Sequence, residues 1–386
     1  MWRSILLVAL VSWGCGGGGG GGPVQQGAPQ LGEPNRGLSG GTLASFERGK
    51  ALFEKEFTRS EGLGPDFNVA SCKACHNVPV TGGSAPLYRN FFLVGRNDNG
   101  VFRAILDEDQ FVARNFSFLR GARETIPANA EIVAQRSSIP LFGVGLFEDI
   151  PASDIVANED PNDSDGDGIS GRINVDGALV GRFGLKSQES TIEDFVRAPA
   201  FNHMGLTSFP LAQAPQIQGL KLERQVFVPG SPKLDNDGVA DPELSFEDTF
   251  DLVTFTRELA PPPTLPLDAE TERGQQLFTT VGCAKCHIPN IVRVGQPVFA
   301  FTDLLLHDMG PAMADGIPMG VSTGSEFRTA PLWGVRHSAP YMHDGSADTI
   351  EDAILAHGGE ATGVRNAFQA LPFADKTALI RFLETR

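Results

Sequence analysis

Positive charge is scarce in this chain. It carries 31 Lys and Arg against 47 Asp and Glu in 386 residues, a net charge of -16, which argues against a nucleic-acid partner, whose phosphates need a basic surface. An acidic surface suits plain solubility or a basic electron-transfer partner. Long apolar runs are also missing. The run Ile5 to Val11 is too short to remain as a membrane span, and behind Met1-Trp2-Arg3 it reads as a secretory signal over residues 1–14. The protein is therefore expected to be exported.

Cysteine and histidine are rare, at 5 and 7 residues, so their clustering is informative. Cys72-Lys73-Ala74-Cys75-His76 returns later as Cys283-Ala284-Lys285-Cys286-His287. Two thiols separated by two residues and followed at once by histidine form the arrangement that attaches a c-type haem. The thiols bond the haem vinyl groups, and the next imidazole, His76 or His287, becomes the proximal ligand of the iron. A four-thiolate zinc site would explain the paired cysteines but not the histidine after each, and a thioredoxin-like pair would call for βαβ patterning around it. Two covalent haems are the expectation.

The fifth cysteine, Cys15, follows the apolar run and Gly14. Its position is that of a lipidated first residue in a bacterial lipoprotein, the alternatives being ordinary cleavage or an idle thiol. Residues 16 to 22 are all glycine, so 15–41 is read as a flexible tether that holds the globular part off a lipid anchor. The expected place is the periplasm, with the membrane reached by the anchor only.

Length suits about two domains, and 41% hydrophobic residues are enough to build cores around large apolar cofactors. An internal repeat supports this division. Glu47-Arg48-Gly49-Lys50-Ala51-Leu52-Phe53 is matched by Glu272-Arg273-Gly274-Gln275-Gln276-Leu277-Phe278, each upstream of a haem motif. A glycine inside a helix costs stability unless another helix must approach closely over it. Phe246 to Leu259 and Ala374 to Leu383, with apolar residues at helical spacing, are the candidate crossing partners. The arrangement resembles the cytochrome c fold twice over. The fold expected is mainly α, with two cytochrome c-like haem domains at 42–260 and 261–386, divided at the proline run 261–263. Long loops enlarge the first, with short β-hairpins near Phe91 to Leu106.

One insertion has chemistry of its own. Asp163-Ser164-Asp165-Gly166-Asp167-Gly168 begins as a calcium loop does, with carboxylates from Asp163, Asp165 and Asp167 at alternate positions, but its twelfth residue is Asn174 and not a bidentate glutamate. A solvated acidic turn is the alternative. Asp235-Asn236-Asp237-Gly238 is a weaker echo and reads as a turn.

The stretches GLGPDFNVASCKACHNVP, LFGVGLFEDIP, EDPNDSDGDGISGRIN, VGRFGLKS, FTDLLLHDMGP, RTAPLWG and APYMHDGSADTIEDAILAHGGEA together resemble the bacterial di-haem oxidoreductase family, related to di-haem cytochrome c peroxidases and MauG-like enzymes. The resemblance implies two haems c, a first haem on His76 that reacts with hydrogen peroxide, and a six-coordinate second haem on His287 that relays electrons from a donor protein. His203 falls where relatives carry the glutamate of a Glu-Met-Gly turn, which implies an acid-base role; iron ligation and a structural role are the alternatives. His357 falls at the distal ligand position of the second haem, with Met309, Met342 and His307 as competitors. His343 and His307 fall in family-like turns and read as structural groups or propionate partners rather than ligands; Arg336 and Arg328 read as exposed arginines, with pairing to the haem propionates as the alternative; and Leu185 stands where relatives commonly have an inter-haem tryptophan. Trp333 is then an ordinary core residue or a substitute relay. The implied function is a peroxidase-type oxidoreductase. The alternatives are a tethered electron-transfer cytochrome without turnover and a MauG-like oxidase acting on a partner protein.

Overall fold

Glycine decides where the long helices of this protein meet. The structure, a computed structural model, describes residues 29–86, 89–106, 111–119, 126–209, 237–293 and 295–386. The expected signal, Cys15, most of the tether, and Asp235 with Asn236 lie outside the described residues. Helix α1 spans Gly40–Glu54, α2 Ile192–Met204, α3 Phe246–Glu258, α4 Ala269–Val281, α5 Ile350–Ala356, α6 Thr362–Ala370 and α7 Phe373–Glu384. Side chains start several of them: Thr191 and Thr349 accept the Asp194 and Asp352 amides at α2 and α5, and Ser245 with Asp248 forms a reciprocal cap on α3. Each such cap contributes about 1 kcal/mol.

Helix α1 crosses α3 at Gly49, where an added Cβ would lie 2.0 Å from the Asp251 carbonyl oxygen. Helix α4 crosses α7 at Gly274, where the same atom would lie 2.0 Å from the carbonyl oxygen of Ala378. Backbone meets backbone in both places. One helical turn on, Phe53 packs on Phe255 with ring centroids 5.0 Å apart, and Phe278 on Phe382 at 5.5 Å. Arg48 and Arg273 clamp the same crossings through Asp251 and Asp375. Both arginines are largely exposed, so the ion pairs add little beside the buried rings.

Among the described residues helix is not the main element, because 45 Gly and 27 Pro in the sequence favour loops and short strands. The described residues form five small antiparallel sheets. In the largest, strand β1 (Phe91–Asp98) pairs with β2 (Val101–Ala104), β3 (Val112–Ala113) and β4 (Ile132–Arg136). The hairpin expected near Phe91 to Leu106 is β1–β2. It turns on Asn99-Gly100, with φ of 53° and 88°, a dipeptide suited to two successive left-handed residues. Leu93, Val112, Ala134 and Ile317 form the core of that sheet.

Two further cores lie under the helix crossings. The larger gathers Phe46, Phe53, Phe142, Phe147 and Phe255, and also takes Ile291, Val298, Leu304 and Trp333 from beyond the proline run. The smaller holds Phe278, Phe301, Phe368, Leu379 and Phe382. Trp333 stacks on Phe147 at 5.1 Å and 7°. No helix among the described residues is long and apolar enough to cross a membrane.

Gly274→Ala should lower stability by about 1–3 kcal/mol, because the backbone clash outweighs the helix-propensity gain of about 1 kcal/mol. Gly363→Ala in α6, with open space around it, should leave the melting midpoint unchanged or slightly raised. Calorimetry of both variants checks the crossing, and a G274A midpoint equal to that of the parent would contradict it.

Candidate functional site

Both pentapeptides fold alike. Cys72–Ala74 and Cys283–Lys285 each form a single 3-10 turn, and the first is held by the Ser71 hydroxyl, which accepts the Ala74 amide at 3.3 Å. Burial pushes the Cys72 and Cys283 thiols up to about 12 and that of Cys75 up to about 11. A reactive redox pair needs the opposite shift. The four thiols do not form a common metal-binding group among the described residues.

The first pentapeptide opens into a cavity of about 920 Å³, lined by Cys72, Cys75, His76, Phe91, Leu93 and His203 among others. Its size, its apolar wall and two thiols beside an imidazole fit a covalently held haem. His76 Nδ1 lies 3.1 Å from the Gly83 carbonyl oxygen. A carbonyl only accepts, so the ring proton sits on Nδ1 and the Nε2 lone pair is free for a metal. Burial lowers His76 to about 4, which keeps that ring neutral.

Helix α2 delivers His203 to the same cavity. Its last turn is docked on the segment just upstream of the first pentapeptide: the Asn68 and Val69 amides donate to the His203 carbonyl at 2.7 and 3.3 Å, and the Gly64 amide donates to the Met204 carbonyl at 2.8 Å. Gly205 ends the helix with φ of 79°, and a Cβ there would sit 2.1 Å from the Gly64 carbonyl oxygen. Phe91 of β1 meets the His203 ring edge-on at 4.6 Å. Burial first, then Arg114 and His76, lower His203 to about 4. Asn68 Nδ2 donates to His203 Nδ1 at 3.1 Å.

The second site has two facing imidazoles. The His287 and His357 ring centroids are 6.5 Å apart, which matches two rings that share one metal, each bonded at about 2 Å. His287 Nδ1 donates to Phe301 O at 3.0 Å, and His357 Nδ1 to Ala353 O at 2.7 Å, so both rings keep Nε2 for the metal. Helix α5 ends at His357, and Gly359 presses on the 307–310 loop, where a Cβ would lie 2.1 Å from Asp308 O. At the first site no such ring pairing joins His76 to His203; the aromatic neighbour of His76 is Phe53 at 6.1 Å.

His307 is held between carboxylates. Its Nε2 lies 2.9 Å from Asp303 and its Nδ1 3.2 Å from Glu360. Burial opposes its charge, but bonds to Asp303, the Cys286 thiol and Glu360 prevail and hold it at about 12. With both nitrogens protonated it has no lone pair to give. His343 stacks on Phe327 at 4.4 Å. Arg328 and Arg336 are not the exposed arginines a bare sequence suggests. Arg336 donates to Arg386 O and Pro263 O, while Arg328 is 7% exposed, pushed down to about 10 by burial, and has an unpartnered Nε. A haem propionate is the kind of anion such a buried guanidinium fits. The Arg328 amide donates to Leu185 O at 2.9 Å, and Leu185 lines the first cavity.

The acidic insertion is rearranged relative to its sequence spacing. Asp160, Asp163 and Asp165 come together, but their oxygens accept the amides of Ser164, Gly168 and Asp167. Asp167 leaves the group and pairs with Lys285 of the second pentapeptide at 2.8 Å. A solvent-open ion pair thus joins the loop to a lysine 118 residues away. Asn68 was the site residue that sequence reasoning missed; it stands inside a family-like stretch, but its partners come together only in the fold.

Residues 125–386 match the family model described as "Di-haem oxidoreductase, putative peroxidase". The chain is 31% identical over 194 residues to the methylamine utilization protein MauG of Methylorubrum extorquens, covering 43% of this chain and 52% of that protein. It is 33% identical over 102 residues to the cytochrome c551 peroxidase of Pseudomonas aeruginosa, covering 25% of this chain and 29% of that protein. It thus spans about half the length of the first relative and under a third of the second. The solved diheme peroxidase BthA of Burkholderia thailandensis aligns at 17% identity and a TM-score of 0.40, covering 90% of this chain and 86% of that one.

Alkaline pyridine spectra of the purified protein should return two c-type haems per chain, and the Cys72→Ser/Cys75→Ser variant one. Zinc in place of iron, or no loss of haem in that variant, would contradict the assignment.

Proposed function

This chain belongs to the di-haem oxidoreductase family, and from that premise we propose that it is an exported, lipid-anchored di-haem peroxidase of the periplasm. The family implies two c-type haems, and each pentapeptide supplies two thiols and a proximal imidazole for one of them. In this reading the chain folds into two cytochrome c-like haem domains divided at residues 261–263. Hydrogen peroxide is reduced to two waters with two protons and two electrons, and the electrons enter from a donor protein through the second site. When bound, the haems supply the redox chemistry.

The observation that carries this reading is the asymmetry of the two sites. At the second, His287 and His357 face each other at ligand-to-ligand spacing, which suits an electron store whose iron has no free position. At the first, His76 faces a cavity of about 920 Å³ with His203 on its wall, and among the described residues its ring neighbour is Phe53 and not a second imidazole, which suits a haem with a position open to a small substrate. His203 handles protons there, in the place where peroxidase relatives carry a glutamate. Phe91, Leu93 and Phe53 make one wall of the pocket apolar, where each polar contact counts for more. Leu185 cannot be oxidised, so electrons pass between the sites without an aromatic residue at that position.

His203→Ala should lower peroxide turnover roughly 10²–10⁴-fold while both haems and the low-spin signal of the second are retained. Turnover equal to that of the parent would contradict the role of His203. A protein that stores electrons but turns over no peroxide would favour the electron-transfer cytochrome instead.

A further inference from the structure

Four half-buried histidines line the two sites, and they do not carry their protons on the same nitrogen. His76, His287 and His357 each turn Nδ1 to a backbone carbonyl, at 3.1, 3.0 and 2.7 Å. His203 turns Nδ1 to a carboxamide. Which end of that carboxamide faces the ring is fixed by its other neighbours. Asn68 Oδ1 accepts the backbone amide of Asn115 at 2.9 Å and the Asn115 side-chain amide at 2.9 Å. Asn68 Nδ2 donates to the Ala113 carbonyl at 2.9 Å. A backbone amide only donates and a backbone carbonyl only accepts, so flipping Asn68 would break both bonds at once. The NH2 group is therefore the end that meets His203 Nδ1, at 3.1 Å.

We propose that Asn68 is a positioning residue that locks His203 as an Nε2–H tautomer, so that His203 gives a hydrogen bond to a ligand in the first haem pocket and does not ligate the iron. The inference deepens the reading of His76 as the open site and rests on it. A neutral imidazole has one proton for two nitrogens; with Nδ1 accepting from Asn68, the proton sits on Nε2 and no lone pair is left for a metal. Burial keeps the ring neutral, so the choice between nitrogens is real. The lock is anchored in backbone, because the Asn68 amide also donates to the His203 carbonyl at 2.7 Å. Asn68 stands four residues before Cys72, which ties the tautomer of the distal ring to the segment that holds the haem.

Asn68→Asp tests this with little change of shape. A carboxylate only accepts, so it calls for a proton on Nδ1 and frees the Nε2 lone pair toward the iron. Electron paramagnetic resonance of the ferric variant should then show the first haem moving from high-spin to low-spin, with the second haem unchanged. A folded variant whose first haem stays high-spin would overturn the proposal. Since the Asn68→Asp change also removes the bond to the Ala113 carbonyl, a second measurement stands apart from that variant: fluoride binding to the parent and to His203→Leu. The parent should bind fluoride roughly tenfold more tightly or better, the effect of one charge-assisted hydrogen bond; equal affinities would overturn the donor role. A parent protein whose first haem is already low-spin, and turns high-spin in H203L, would make His203 a ligand and overturn the lock. A low-spin first haem that H203L leaves unchanged would remove the open site itself, and the inference with it.

Discussion

Two helices can close until backbone meets backbone only where one of them has no side chain, and this protein depends on that contact twice. Gly49 against Asp251 and Gly274 against Ala378 set two crossings of the same kind, with a phenylalanine pair one turn further on in each. In each, the glycine helix stands upstream of a pentapeptide and its partner helix downstream. The loops, sheets and acidic insertion are built on that frame, and several of them contact distant segments: Asp167 reaches Lys285, and Glu360 receives the Ser170 amide and hydroxyl at 3.1 and 2.6 Å.

On a repeated frame the two sites diverge through hydrogen-bond partners at a distance from the metal position. A carbonyl at Nδ1 leaves a neutral histidine its Nε2 lone pair, while an amide donor at Nδ1 puts the proton on Nε2. His357 has the Ala353 carbonyl one helical turn back in α5, so its helix end prepares it to ligate. His203 has Asn68, which belongs to a different segment and is oriented by Asn115 and Ala113. On the proposed reading, one fold would carry an electron store and a substrate pocket built from the same parts.

Much of this was legible in the sequence because it rests on local spacing. The pentapeptides, the repeated glycines and the helices that cross over them can be read from short windows, and so can the hairpin region, where Asn99-Gly100 marks the turn. The expectation of a mainly α chain failed for a physical reason, since the glycines and prolines needed for turns and close approaches leave few long helical stretches. Alternate carboxylates at Asp163, Asp165 and Asp167 suggest a cation loop; in the fold Asp160 joins Asp163 and Asp165, while Asp167 pairs with Lys285, far along the chain. The burial of Arg328 with its Nε unpartnered and the orientation of Asn68 depend on neighbours that only the fold brings together, and no local pattern announces them.

The central claim is that one iron site is open and the other closed. The most direct test is the electron paramagnetic resonance spectrum of the purified ferric protein, recorded before and after one equivalent of hydrogen peroxide. The account predicts one high-spin and one low-spin signal, with the high-spin signal lost on addition of peroxide. Two low-spin signals indifferent to peroxide would contradict it.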